Sequence, residues 1–172
     1  MSSKSNGIYI RIRYGSKKYV SKKFQNKNYF KKDTILIYVD GCCVKNYSYE
    51  IRCSGRRIGV GIYIESEAGE HILNISKEII YSGSKSGNRA EMYAMIEAMK
   101  NTYKWVENLT IYTDSSYIIS GLEGNYQDNK NQDLWKDIEF FLNEKYYKIQ
   151  WIPREHNETA TELAKDIVMI YY

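Results

Sequence analysis

The chain of 172 residues has one proline, three cysteines and no acidic residue before Asp33. Each shortage excludes something. No apolar run approaches the roughly 20 residues that a membrane-spanning helix needs, and the N-terminus lacks the apolar stretch of a secretory signal. Cys42, Cys43 and Cys53 are odd in number and show no metal-ligand spacing. They read as reduced thiols, and with the missing signal they predict an intracellular protein. The scarcity of proline beside abundant Tyr, Ile, Lys and Asn fits an A/T-rich coding genome and carries no chemistry. Internal repeats and long low-complexity tracts are also missing.

What is present suits a folded globule: 43% of the residues are hydrophobic, enough for one domain plus an appendage. The charge is lopsided. Residues 1–32 hold ten Lys or Arg and no acid, so a net +4 for the whole chain leaves −6 on residues 33–172. A basic arm on an acidic domain points to a polyanionic partner, nucleic acid first among them. A solvated tail that aids solubility is the bland alternative. Within the arm, Ile8, Ile10 and Ile12 alternate with Tyr9, Arg11 and Arg13, and residues 15–18 are turn-like. This predicts a small basic hairpin with a Lys/Asn-rich linker, making residues 1–33 an arm and residues 34–172 the domain.

From Thr34 onward the pattern is α/β. Strands are predicted at 34–40, 58–65, 70–76, 108–113 and 146–152, the first three as an antiparallel meander. Helices are predicted at 88–104, 115–121, 132–143 and 157–169. The first carries Met92, Met95, Ile96, Met99 and Tyr103 on one face, a core stripe. The last groups Ala160, Leu163, Ala164 and Ile167, with Asn157 as its N-cap.

Three acids stand at the edges of these elements. Asp40 and Asp114 close apolar runs that read as strands, and Glu91 falls in the first turn of a predicted helix. If the first and fourth strands are parallel neighbours, the two aspartates lie side by side at the carboxyl ends, where open α/β sheets place ligands. A helix across the sheet brings Glu91 to the same point. Three such carboxylates repel one another unless cations bridge them, and hard oxygen ligands imply Mg²⁺, with Mn²⁺ as substitute. Two ions about 4 Å apart can activate a water and stabilise a leaving oxygen in phosphodiester cleavage. Any one acid taken alone would be read as a solvated charge or a helix cap.

The local sequences around these acids resemble the type-1 ribonuclease H family over about residues 34–168. Residues 38–46 and 57–63 are similar to the opening of eukaryotic-type members, residues 88–91 to the family's helix-start motif, and residues 112–116 to its second aspartate motif. Residues 130–135 resemble a later helix start, and residues 151–164 the closing segment of members with a short last loop. The resemblance implies a ribonuclease H-like fold, a five-stranded mixed sheet flanked by helices on both faces. It implies an endonuclease that hydrolyses the RNA strand of RNA–DNA hybrids, working as a monomer. Asp40, Glu91 and Asp114 would be its catalytic and metal-binding acids. Asn46 and Asn88 would contact the minor groove of the hybrid. Ser86 and Asn131, with the charge of Lys85, would hold a DNA phosphate. For Ser86 a helix cap, and for Asn131 a turn residue, are the ordinary structural roles.

The departures limit that expectation. Thr161 stands where the family places a fourth aspartate, which implies either an attenuated enzyme or a catalytically inactive hybrid-binding scaffold. Glu158 lies one helical turn earlier, and Glu162 points about 100° away by helix geometry. Gly87 replaces an asparagine that reads the groove. The loop after Trp151 is cut down, leaving His156 as the nearby imidazole, and His71 falls on a predicted strand with no evident partner. The segment from Gly121 to Leu134 is too short for the family's basic handle, a role the arm would take over.

Overall fold

The structure, a computed structural model, describes residues 34–45, 55–80, 83–124 and 130–169. The predicted basic hairpin and linker, Asn46 and Cys53 lie outside them. Alternating isoleucine and valine form β1 (Thr34–Lys45), β2 (Arg56–Ser66) and β3 (His71–Ile79), which pair antiparallel as predicted. After helix α1 (Gly87–Thr102) the chain enters β4 (Asn108–Thr113), parallel to β1. Helices α2 (Ser116–Glu123) and α3 (Gln132–Glu144) lead to β5 (Tyr147–Trp151), parallel to β4. A single 3-10 turn (Arg154–His156) precedes α4 (Glu158–Asp166). The sheet order is β3-β2-β1-β4-β5.

Period-two burial divides the sheet into two faces. Ile35, Ile37 and Val39 of β1, with Ile58, Val60, Ile62 and Ile64 of β2, share one core with Met92, Met95 and Met99 of α1, against which α3 packs and adds Leu134 and Trp135. Helix α4 covers the opposite face over β2. It can approach so closely because Gly59 and Gly61 have no side chains: a Cβ there would meet Ala164 O at 2.1 Å and Ala160 O at 2.0 Å. Both ends of α4 are thereby seated, and Gly61 is the cross-strand partner of Asp40.

Two placements differ from expectation. Asp40 does not end its strand, since β1 runs on to Lys45 against β2. It does end the pairing with β4, whose last register pair is Val39 with Thr113. Asp40 and Asp114 therefore leave that ladder together, which is the geometry that matters. Glu91 is the fifth residue of α1 and so belongs to its second turn, because the helix already begins at Gly87 behind the Ser86 cap.

Gly41 sets the distance between β1 and α1. A Cβ at this position would lie 2.1 Å from the carbonyl carbon of Ala90 and 2.4 Å from the Glu91 nitrogen. Since backbone cannot yield as a flexible side chain can, Gly41→Ala is expected to cost about 3 kcal/mol or more in a urea melt. Gly87→Ala is the control: its Cβ meets nothing within 4 Å, and helix propensity predicts a gain of up to about 1 kcal/mol. Equal stability of the Gly41 variant and the native chain would contradict this packing.

Candidate active site

The Asp40, Glu91 and Asp114 side chains converge: one carboxylate oxygen from each lies within 4.8 Å of the other two. Asp40 is buried, and the other two are half-buried. The register of β1 on β4 supplies the two aspartates, and α1 brings Glu91 in past Gly41. The Gly41 N–H donates to Asp40 Oδ1 at 2.9 Å and to Glu91 Oε2 at 3.2 Å, so one amide holds two of the three acids. Among the described residues, neither Glu158 nor Glu162 joins the cluster; both are exposed.

The electrostatics are those of acids packed without a counter-charge. Burial, followed by the Asp40 and Asp114 charges, pushes Glu91 from an ordinary 4.5 up to about 9. Asp40 is also pushed up, first by burial and then by Asp114, while hydrogen bonding to Thr161 and Glu91 acts in the opposite direction. A divalent cation among these oxygens would relieve that stress, and an all-oxygen donor set suits a hard ion. The residues present thus fit the metal that the sequence implies.

Thr161 is buried at the edge of the cluster, where the seat of α4 on Gly61 puts it beside Asp40. Its hydroxyl donates to Asn157 O at 3.0 Å. Asn157 itself differs from its predicted role. It occupies the N-cap position of α4, but its side chain makes no capping hydrogen bond. Instead Nδ2 donates to Val39 O at 2.8 Å and to Asp114 Oδ1 at 3.1 Å, tying α4 to both aspartate-bearing strands. Sequence reasoning missed this tie because an asparagine before a helix is already explained by capping.

The expected phosphate-binding residues lie at the facing ends of α1 and α3. Ser86 Oγ accepts from Arg89 N at 3.2 Å, the cap role. Asn88 is exposed and Lys85 half-buried. Asn131 adopts the left-handed conformation, φ 68°, at the start of α3. Its Oδ1 accepts from Arg89 Nη1 at 3.1 Å and its Nδ2 donates to the Tyr117 hydroxyl at 3.0 Å. Arg89 also pairs with Asp133 at 2.6 Å, so a buried guanidinium joins α1 to α3. His71, expected to lack a partner, has two: Nε2 lies 3.0 Å from Asn74 Oδ1, and the ring stacks at 5.6 Å on Tyr63. His156 is exposed.

A mixed sheet in the order 3-2-1-4-5, with acids gathered where β1 and β4 part, defines a ribonuclease H-like protein. Residues 32–168 match the RNase H family, and the chain belongs to it. It is a ribonuclease by that membership. A Ribonuclease HI of Haemophilus influenzae is 30% identical, with 76% of this chain and 87% of the relative covered. A Ribonuclease H of Caldicellulosiruptor saccharolyticus is 27% identical, covering 77% of this chain and 92% of its own. Among solved structures, LC11-RNase H1 in complex with an RNA/DNA hybrid superposes with a TM-score of 0.61 at 26% identity, covering 77% of this chain and 94% of the other. RNase H1 of the archaeon Halobacterium salinarum shares the fold, with a TM-score of 0.63 at 22% identity over 80% of this chain and 99% of that one. No helix among the described residues is long and apolar enough to cross a membrane.

The raised carboxyls make the stability of metal-free protein depend on pH. A folded-state value above the ordinary 4.5 means that the folded protein keeps a proton the unfolded chain has released. The contribution is full below about 4.5 and is lost as the pH rises towards about 9. In EDTA, the urea midpoint should therefore fall between pH 5 and pH 8, measured against Glu91→Gln, which cannot titrate. That variant should be the more stable at pH 8, on the order of 2 kcal/mol. Parallel pH profiles for the two proteins would refute the coupling.

Proposed function

We propose that this chain is an endonuclease that hydrolyses the RNA strand of RNA–DNA hybrids, with Asp40, Glu91 and Asp114 holding two divalent ions. The convergence of three carboxylates within 4.8 Å at the divergence of β1 and β4 carries the reading. The hybrid-bound relative LC11-RNase H1 supports the substrate class. When bound, Mg²⁺ or Mn²⁺ would supply Lewis acidity for the attacking water and the leaving oxygen. The chain's own part is to fix the acids in place. Gly41 N–H restrains Asp40 and Glu91, Asn157 restrains Asp114, and the sheet register keeps the aspartates adjacent.

Substrate would lie across the ends of α1 and α3, where Ser86, Asn88, Asn131 and Lys85 are candidates for phosphate and groove contacts; Asn46, outside the described residues, is a further candidate for the groove. Two of these residues already have structural duties, Ser86 as a cap and Asn131 within the Arg89 network. Such anchoring suits a phosphate contact, since a restrained group loses little freedom on binding. The basic arm of residues 1–32 would add non-specific backbone affinity in place of the missing handle.

Thr161 supports a second reading, a hybrid-binding scaffold without catalysis, because its neutral hydroxyl is engaged with Asn157 O. One experiment separates the two. A hybrid labelled on the RNA strand is incubated with the protein in Mg²⁺ and in Mn²⁺. Cleavage to 5′-phosphate and 3′-hydroxyl ends is expected, faster in Mn²⁺, whose geometric demands are looser. Asp40→Asn should lower the rate by at least about 100-fold, and Thr161→Asp should raise it by on the order of 10-fold. Tight binding with no cleavage under either ion would establish the scaffold and remove the enzyme.

A further inference from the structure

Beyond the carboxylate cluster, on the face of the sheet that α4 only partly covers, an aromatic row crosses four strands. Tyr112, Tyr38, Tyr63 and His71 follow one another at centroid spacings of 5.0, 5.9 and 5.6 Å. Where this row meets the start of α4 there is a cavity of about 310 Å³, lined by Tyr38, Tyr63, Glu65, His156, Asn157 and Thr159 among others. That volume is at the small end of ligand sites.

Its lining is rich in acceptors. The Glu65 carboxylate accepts from the Tyr63 hydroxyl at 3.0 Å, yet has no ion-pair partner among the described residues. Among the described residues no Lys or Arg lines the cavity. Burial and the adjacent Glu65 charge push the Tyr38 hydroxyl up to about 12, which keeps it neutral. An anion would thus meet a carboxylate and no fixed cation. A divalent metal would find a single carboxylate here, against the three that converge at Asp40. An organic cation suits this lining: charge for Glu65, an N–H donor for Thr159, and a ring face from the tyrosines.

We infer that this cavity is a binding site for an organic cation, a primary ammonium or guanidinium group, held between Tyr38, Tyr63, Glu65 and Thr159. Two sources carry that chemistry. One is a free polyamine-type molecule. The other is a lysine or arginine among residues 1–32, a segment with ten such side chains and no acid. The site does not depend on the nuclease reading, since Glu65 and Tyr63 lie outside the metal-binding trio.

The test uses the full chain and methylguanidinium chloride as the probe, with sodium chloride at equal ionic strength as the reference. Ring resonances of Tyr38 and Tyr63 and the Glu65 carboxylate carbon are followed by NMR. A saturable shift is expected at millimolar probe, weakened about tenfold in Glu65→Gln. Tetramethylammonium, which has charge but no N–H donor, should bind more weakly to the native protein. That comparison decides the matter even if the variant fails to fold. Shifts no larger than those from sodium chloride, or equal affinity for both cations, would overturn the site. So would a folded Glu65→Gln protein that binds as well as the native chain. Nuclear Overhauser contacts from a Lys or Arg of residues 1–32 to the Tyr63 ring, displaced by the probe, would assign the chain's own side chain as occupant. Saturable binding without such contacts would assign a free molecule.

Discussion

Three carboxylates are held closer together than they would settle by themselves, and the backbone is what holds them. Asp40 and Asp114 are adjacent because Val39 and Thr113 form the last pair of a parallel ladder. Moving either aspartate away means sliding a strand whose next residues are core, and a one-residue slip would turn every buried side chain to the wrong face. Glu91 is constrained from the other side, since α1 rests on Gly41 with no side chain between them. The repulsion therefore has no cheap mechanical outlet. It is relieved by a proton, as the raised Glu91 shows, or by a cation.

The same economy of space governs the second shell of contacts. Gly61 is level with Asp40, and its bare backbone lets α4 descend far enough to put Thr161 and Asn157 at the cluster. Asn157 then offers two hydrogens to two strands, one to the Val39 carbonyl and one to Asp114. On the far side, the Arg89–Asp133 pair closes α1 onto α3, and Asn131 and the Tyr93 hydroxyl add two further bonds to the guanidinium. Arg89 is 6% exposed, so removing one partner would strand a charge in the interior. Such a pair is better understood as fixing the relative placement of two helix starts than as a source of net stability.

How much of this was legible beforehand follows from the range of each interaction. Period-two apolar runs and the methionine stripe are local patterns, and they revealed every described strand and helix with errors only at the ends. Asp40 and Asp114 were legible because each follows such a run. The extension of β1 beyond Asp40 was not, because Gly41 and Cys42 give no alternation to follow; their strand state comes from pairing with Val60 and Gly59. The true turn of Glu91 was hidden by Gly87, a poor helix residue that tertiary context nonetheless places inside the helix. Asn157 and Arg89 act across 43 or more residues of chain, on Asp114 and Asp133 respectively. No window of sequence contains both ends of either contact. Of the two partners of His71, only the Tyr63 ring lies on a neighbouring strand; Asn74 is three residues along its own.

Thr161 shows how the backbone fixes a position independently of the side chain that fills it. The fold delivers this residue to Asp40 whatever its side chain, because Gly61 and the Asn157 ties set the course of α4. A carboxylate there would make a fourth acid in a cluster already raising the affinity of two members for protons. A hydroxyl adds no charge, and bonds back to the carbonyl four residues earlier, as threonines in helices readily do. The metal-free site would consequently be less stressed than a four-acid version, and it would attract cations less strongly. Affinity for the ion and tolerance of its absence trade against each other through this one side chain, with the surrounding backbone unchanged.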